Sequence, residues 1–466
     1  LPIANLAVQN CGFLKSAIGN NTMDSLTYFQ LLQRNRSFRR LFVGQVISEL
    51  GNWFNFIAAL GLVRVISNAS AEVTTIILIA RLVPFTLFAP LAGAFVDRWS
   101  RRTVMIATDL LRVVVALGFL LVRRPEDLWI AYLCTVLLAL FGAFFEAAKN
   151  AAVPNITGDK DLLAGNALMF SSRFLFMSLG AALGGWTAAH IGYEAAFIVN
   201  AVSFLVSAYS VWLVPEEETR QSHVETTKSG VKKLYSGYGS DIREGWTYIV
   251  KHGPVAAILA ANIVWAIGGG AVNLIAERLG ALVFAGQNGI SPDSAVATLY
   301  FANGMGLFLG MMIARRVGIY FEMKRRTVSF IGWSLLVQGI VFALVGAMPA
   351  LWMACAVLML SRVILSAEFA VQEALLMRLV PDNLRGRVST TDRAAEMLIW
   401  SLSTAAAGWS LNLISIRALT AVSGLLSGIA GVMWLTLFLS GKVRLPKGIE
   451  PEQIAEQPQE QVAGAD

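Results

Sequence analysis

The stretch Gly93-Ala94-Phe95-Val96-Asp97-Arg98-Trp99-Ser100-Arg101-Arg102 decides how this chain is read. It is polar and basic at its end, and long apolar runs flank it, 72–96 before and 103–122 after. A helix needs about 20 apolar residues to cross a bilayer, and each run supplies them. Three arginines in a short loop between two such runs mark a connection held on the cytoplasmic side.

The same pattern fills the chain in both directions. Twelve apolar segments are expected to span the membrane: 41–65, 72–96, 103–122, 128–150, 164–189, 193–214, 254–282, 293–314, 326–347, 350–377, 388–414 and 417–440. The runs are continuous and lack a two-residue alternation, which excludes a β-barrel. Composition agrees. Of 466 residues 56% are hydrophobic and 14% charged, with mean hydropathy +0.62. Soluble domains carry roughly 25% charge. A soluble enzyme, a disordered chain and a disulfide scaffold are thereby excluded. Cys11, Cys134 and Cys355 make no disulfide framework, and His190, His223 and His252 no metal-ligand spacing.

The net charge of +7 lies mostly in short loops, so it speaks for a membrane surface and against nucleic acid. With the N-terminus inside, the inner loops take Arg34, Arg36, Arg39 and Arg40, then Arg98, Arg101 and Arg102, and later Arg315, Arg316, Lys324, Arg325 and Arg326. The outer loops take Arg64, Arg123, Arg124 and Arg417. Both termini are therefore expected in the cytoplasm, and the protein in the plasma (inner) membrane. Five regions follow: an N-terminal extension 1–40, a six-helix half 41–214, a polar linker 215–252, a second six-helix half 253–441, and a disordered tail 442–466 rich in Glu, Gln and Pro. The first 40 residues carry no signal-peptide pattern, and 1–22 read as a dispensable extension.

Landmarks recur 220–227 residues apart in the same order. Arg101-Arg102-Thr103-Val104 returns as Arg325-Arg326-Thr327-Val328, and Glu146-Ala147 with Val153-Pro154 as Glu373-Ala374 with Val380-Pro381. Gly185-Trp186 returns as Gly408-Trp409, and 201–207 (AVSFLVS) as 421–427 (AVSGLLS). Two halves of the same orientation predict an all-α membrane protein of two pseudo-symmetric six-helix bundles. Parallel repeats of this kind place a substrate site between the halves and work by alternating access.

The opening stretch, read as Gly, three residues, Asp-Arg, two residues and two basic residues, resembles the loop signature of the major facilitator superfamily. The resemblance extends over 37–440 and implies the major facilitator fold and a transport function. It implies a gating role for Gly93, Asp97, Arg98, Arg101 and Arg102, with Asp109 and Arg112 bracing the loop. Gly93 is expected to let helices pack closely. Phe38-Arg39-Arg40-Leu41, Gly44-Gln45, Gly51-Asn52-Trp53, Arg81-Leu82-Val83-Pro84 and Asp109-Leu110-Leu111-Arg112 look most like the branch of siderophore exporters and macrolide-efflux proteins. The sequence departs from antiporter patterns in two places: 137–145 carries no Arg, and Ala181 stands where a Pro is usual.

A charge at membrane depth costs about 2.5–3.5 kcal/mol on insertion scales, so each such residue asks for a reason. Glu49, Asn52 and Asn55 are read as one cavity-facing surface, with Glu49 a substrate-binding or proton-carrying carboxylate. Arg173 and its second-half counterpart Glu396, which are expected to meet, and Arg362 join them as candidate substrate or proton residues. Glu146 and Lys149, three apart, are expected to pair. Glu146, its equivalent Glu373, Gly180 and Gly184 are assigned to a conformational interface. No nucleotide-binding, triad or metal-ligand pattern is present in the sequence, so no cofactor is expected. The reading is a secondary active transporter that exports a small organic or amphipathic compound, with proton antiport as its coupling. A monomer suffices for this. A lysophospholipid transporter and a non-transporting sensor remain open alternatives.

Overall fold

The computed structural model describes residues 28–96, 99–219, 243–381, 384–441 and 443. Residues 1–27 of the expected extension, 220–242 of the linker, nearly all of the tail, and Asp97 and Arg98 of the gating loop lie outside the described residues.

Twelve long helices stand where the twelve apolar segments were read. They are α1 Arg36–Ile66, α2 Ala71–Val96, α3 Arg101–Gly118, α4 Pro125–Gly158, α5 Lys160–His190, α6 Tyr193–Trp212, α7 Gly253–Phe284, α8 Pro292–Met323, α9 Thr327–Val345, α10 Leu351–Leu379, α11 Arg385–Ser410 and α12 Ile416–Leu439. Among the described residues, eleven are long and apolar enough to cross a membrane. The exception is α11. Its first half holds Arg385, Arg387, Asp392, Arg393 and Glu396, which dilute its hydropathy although it is 26 residues long.

Local chemistry sets the helix starts. Before α1, the Asn35 side chain accepts from the Phe38 amide at 2.8 Å. Ser100 caps α3 and Ser415 caps α12 through the amides of Thr103 and Ala418. Such side-chain oxygens satisfy amides that a first helical turn leaves bare. The division of α4 from α5 falls at Gly158, whose φ of 68° takes the chain out of the helical region that Pro154 has already weakened.

The chain forms two units, residues 1–229 with 291–301 and residues 230–290 with 302–466. The first unit thus includes the opening turns of α8. Within it, α1 packs on α6 and on the α4–α5 pair, and α3 packs on α6. Phe38, Leu41, Val104, Met105, Phe145 and Val153 form one buried cluster. Within the second unit, α9 packs on α12 and α10, and α7 packs on α12 and α11. Its core gathers Ile258, Leu335, Leu375 and Trp434, and the Trp434 indole donates to the Val328 carbonyl at 2.8 Å. The α3–α6 pair has its counterpart in α9–α12, in step with the sequence repeat. So do Trp186 and Trp409, which are 55% and 67% exposed and suit an interfacial belt.

Helices in lipid gain no hydrophobic drive from one another and rely on close contact through small residues. In the first unit, a methyl at Gly51 would strike Ser203 and Asn200, and one at Gly184 would strike the Phe54 backbone. In the second, a methyl at Gly424 would collide with the Ala343 nitrogen and lie 2.6 Å from the Gly339 carbonyl oxygen. Gly424→Val is therefore expected to destabilise the protein by about 2 kcal/mol or more. Gly386→Ala, where no described atom lies within 4 Å, is expected to leave it unchanged. Thermal unfolding of the purified protein, read by the monodisperse fraction remaining, distinguishes the two.

Candidate functional site

Along α1, Glu49, Trp53 and Phe56 fall four and three residues apart, which stacks them on one helical stripe. Glu49 is half-buried, and its Oε1 accepts from Gln45 Nε2 at 3.1 Å. Arg81 of α2 faces this stripe. Its guanidinium carbon lies 3.9 Å from the Phe56 ring centroid and 4.9 Å from that of Trp53. Tyr300, from the opening of α8, meets Phe56 edge-on at 5.5 Å and Trp53 at 6.2 Å. Glu49, Tyr300 and Arg173 act electrostatically on Arg81, and Glu49 and Glu146 act on Arg173. Arg173 is solvent-exposed although it sits well within α5. A guanidinium bare to acyl chains is costly. Arg173 therefore stands at the surface of the first unit within electrostatic reach of two carboxylates, Glu49 and Glu146.

The expected common face of Glu49, Asn52 and Asn55 divides. Asn52 is half-buried near the stripe. Asn55 stands one turn beyond Gly51 on the side packed against α6, and it is 6% exposed. The reason is angular: six residues at 100° each leave Asn55 about 120° from Glu49. Gly180 and Gly184 lie against α1, at Leu50–Trp53 and at Phe54, so they set the distance between α5 and α1.

Other charges of the first unit are matched internally. Glu146 and Lys149 pair at 2.8 Å. Arg64, at the end of α1, pairs with Asp293 at the start of α8, and the Tyr193 hydroxyl donates to Asp293 at 2.9 Å. A methyl at Gly61 would collide with both Asp293 and Tyr193, so this cluster requires a glycine on α1. Asp109 and Arg112 pair at 3.0 Å and are 0% and 5% exposed. The Arg112 guanidinium sits between the rings of Phe145 and Phe204, and it nearly touches Gly142. The pair is thus enclosed by α4 and α6.

At that loop, Arg101 donates to the Ala151 and Thr219 carbonyls at 2.8 and 3.4 Å, Arg102 donates to the Trp212 carbonyl, and Arg40 donates to the Leu213 carbonyl at 2.5 Å. Two of these arginines hold the carbonyl end of α6, where cations are favoured. A methyl at Gly93 would meet none of the described atoms within 4 Å, so the close packing expected of it is not made by them.

In the second unit, Arg362 is 3% exposed. Its guanidinium lies 4.6 Å from the Phe342 ring centroid, and Gly306 packs on its Cβ. It is enclosed, where the sequence suggested a cavity position. Glu368 is 2% exposed, and its Oε1 has no partner among the described residues. Glu396 is buried near Arg393, Asp392 and Glu373, and Asp392 accepts from the Asn262 amide at 3.0 Å. Arg378 pairs with Glu322. Sequence reasoning named Arg81 only within the stretch Arg81-Leu82-Val83-Pro84 that carries the branch resemblance. The signal that would have found its setting is the i, i+3 pair Trp53 and Phe56. The Arg64–Asp293 pair joins residues 229 apart and carries no local signal.

The buried Asp109–Arg112 pair yields a prediction. Arg112→Gln or Asp109→Asn leaves one charge enclosed without its partner, expected to cost about 3–5 kcal/mol. The double variant removes both charges and is expected to recover part of that loss. Yield of folded protein and melting temperature check both expectations.

The profile of the Major Facilitator Superfamily matches residues 41–324. The chain is 24% identical over 158 residues to the uncharacterized MFS-type transporter YfiS of Bacillus subtilis, covering 33% of this chain and 36% of that one. It is 26% identical over 141 residues to the multidrug resistance protein MdtH of Proteus mirabilis, covering 30% and 33%. The alignments thus span about a third of the length of these curated relatives. A bacterial homologue of the iron transporter ferroportin, solved in an inward-facing state, superposes with a TM-score of 0.64 at 14% identity, over 86% of this chain and 98% of that one. With twelve long helices among the described residues and a profile match across more than half its length, the chain belongs to the Major Facilitator Superfamily and is a multi-pass membrane protein.

Proposed function

We propose that this protein exports a small amphipathic organic compound by alternating access, with Glu49 the carboxylate that meets the compound or the exchanged proton. The single observation that carries this reading is the stripe on α1. A half-buried carboxylate that accepts a hydrogen bond from Gln45 lies within one turn of Trp53 and two turns of Phe56. Sites for amphipathic ligands join apolar and aromatic groups to a few placed polar ones, and the half-buried Glu49 and Trp53 supply both kinds. Export is supported by the likeness to a multidrug resistance protein. The arginine-rich loops after α2 and α8 support cytoplasmic termini in a plasma membrane. On this reading, Asp97 and its neighbouring arginines hold one of two access states and release it in the other. Arg101 and Arg102, by gripping carbonyls near the α4 and α6 ends, keep the loop registered on the bundle.

Proton flux in energised inside-out membrane vesicles tests the proposal. A pH-sensitive dye reports release while macrolides, siderophores, other hydrophobic drugs and lysophospholipids are added in turn. The expected outcome is proton release triggered by one class in the wild type, lost in Glu49→Gln and slowed in Asp97→Asn. Release that persists at the wild-type rate in Glu49→Gln would remove Glu49 from the coupling.

A further inference from the structure

Arg81 has a setting that the reading above leaves unused. Its guanidinium is covered by two aromatic rings, Phe56 at 3.9 Å and Trp53 at 4.9 Å, with Tyr300 closing behind them. Rings of this kind attract a cation over their faces. They offer no lone-pair acceptor to the guanidinium N–H donors, of which arginine has five. Among the described residues Arg81 makes no hydrogen bond and no ion pair, although it is half-buried in a membrane-spanning helix. Leaving such donors unmatched in a low-dielectric site is costly, and a ligand acceptor removes that cost.

The local charge balance points the same way. Around the α1 stripe two guanidiniums, Arg81 and Arg173, act on one carboxylate, Glu49. Glu146, which also reaches Arg173, is already bound by Lys149 at 2.8 Å, and Asp109 is bound by Arg112. Among these described residues one positive charge is left in excess. Arg173 likewise makes no hydrogen bond or ion pair among the described residues and is open to solvent.

We infer that Arg81 is a substrate-recognition residue and that the compound carried is an organic anion. Its carboxylate seats in the plane of the Arg81 guanidinium, and its apolar or aromatic body lies along Trp53, the half-buried ring of the stripe, with the buried rings of Phe56 and Tyr300 behind it. A carboxylate matches the planar donor fork in a two-bond arrangement that an ammonium cannot reproduce. The two rings, at 86° to each other, restrain the guanidinium from two sides before the ligand arrives, so less ordering remains at binding. This rests on the reading that the α1 stripe meets the transported compound, and it adds the sign of that compound's charge.

The test is equilibrium binding to the full-length protein in nanodiscs, with no gradient imposed. Three probes share one aromatic body: 2-naphthoate, neutral 2-naphthamide and cationic 2-naphthylmethylammonium. The expected result is that 2-naphthoate binds about tenfold or more tightly than the amide, and the cation more weakly than either. In Arg81→Gln that preference is expected to collapse to near unity, while surface Arg316→Gln retains it. Arg81→Lys keeps the charge and loses the fork. It is expected to lower the preference at least about threefold, and it serves where Arg81→Gln does not fold. Equal binding of the three probes, preference for the cation, no binding of 2-naphthoate, or a preference unchanged in the Arg81 variants would each overturn the inference. Vesicle proton release that fails while the anion preference stands counts against export alone. Release that stands while the preference fails counts against the anion site alone.

Discussion

The cost of a charge at membrane depth organises this molecule. An arginine or carboxylate inside a span must find a partner, a ring face or water, because lipid offers none. The first unit meets that demand in several ways. Asp109 and Arg112 neutralise each other beneath Phe145 and Phe204, Glu146 and Lys149 do so within one helical turn, and Arg64 takes Asp293. What remains is Glu49 with Arg81 and Arg173, whose charges do not cancel.

Close helix contact is the second constraint, and it explains the density of glycine. The protein has 40 glycines, and at Gly51, Gly184, Gly339 and Gly424 a side chain would strike a neighbouring helix. These positions let α1 approach α5 and α6, and α9 approach α12. They also fix which faces turn inward. Because Gly51 and Gly184 press α1 against its neighbours, the stripe of Glu49, Trp53 and Phe56 is the face left for Arg81 and Tyr300. Packing and site are in that sense one decision.

The sequence repeat and the structure agree most closely where the physics is local. Basic loops, apolar runs and helix-capping residues such as Asn35, Ser100 and Ser415 act over a few positions, and they are legible without a fold. The Glu146–Lys149 pair belongs with them, since a spacing of three on a helix brings the two side chains together. Legibility ends where angle and distance take over. Asn55 shares polarity with Glu49 and not its direction. Arg362 has the composition of a cavity residue and lies enclosed against Phe342. In α11 the charges that function would need are those that lower its hydropathy below that of a membrane span.

By itself the sequence determined that the chain is an all-helical membrane protein of two like halves with a basic, motif-bearing loop after its second span. Hydropathy, charge placement and repeat are properties of the linear order, so they survive without coordinates. Only the tertiary structure decided which polar residues meet. It brought Asp293 to Arg64 across 229 positions and set Tyr300 behind the rings that cover Arg81. The physical reason is that pairing in a membrane is settled by which helix faces are pressed together. Those faces depend on close backbone approach between segments far apart in the chain.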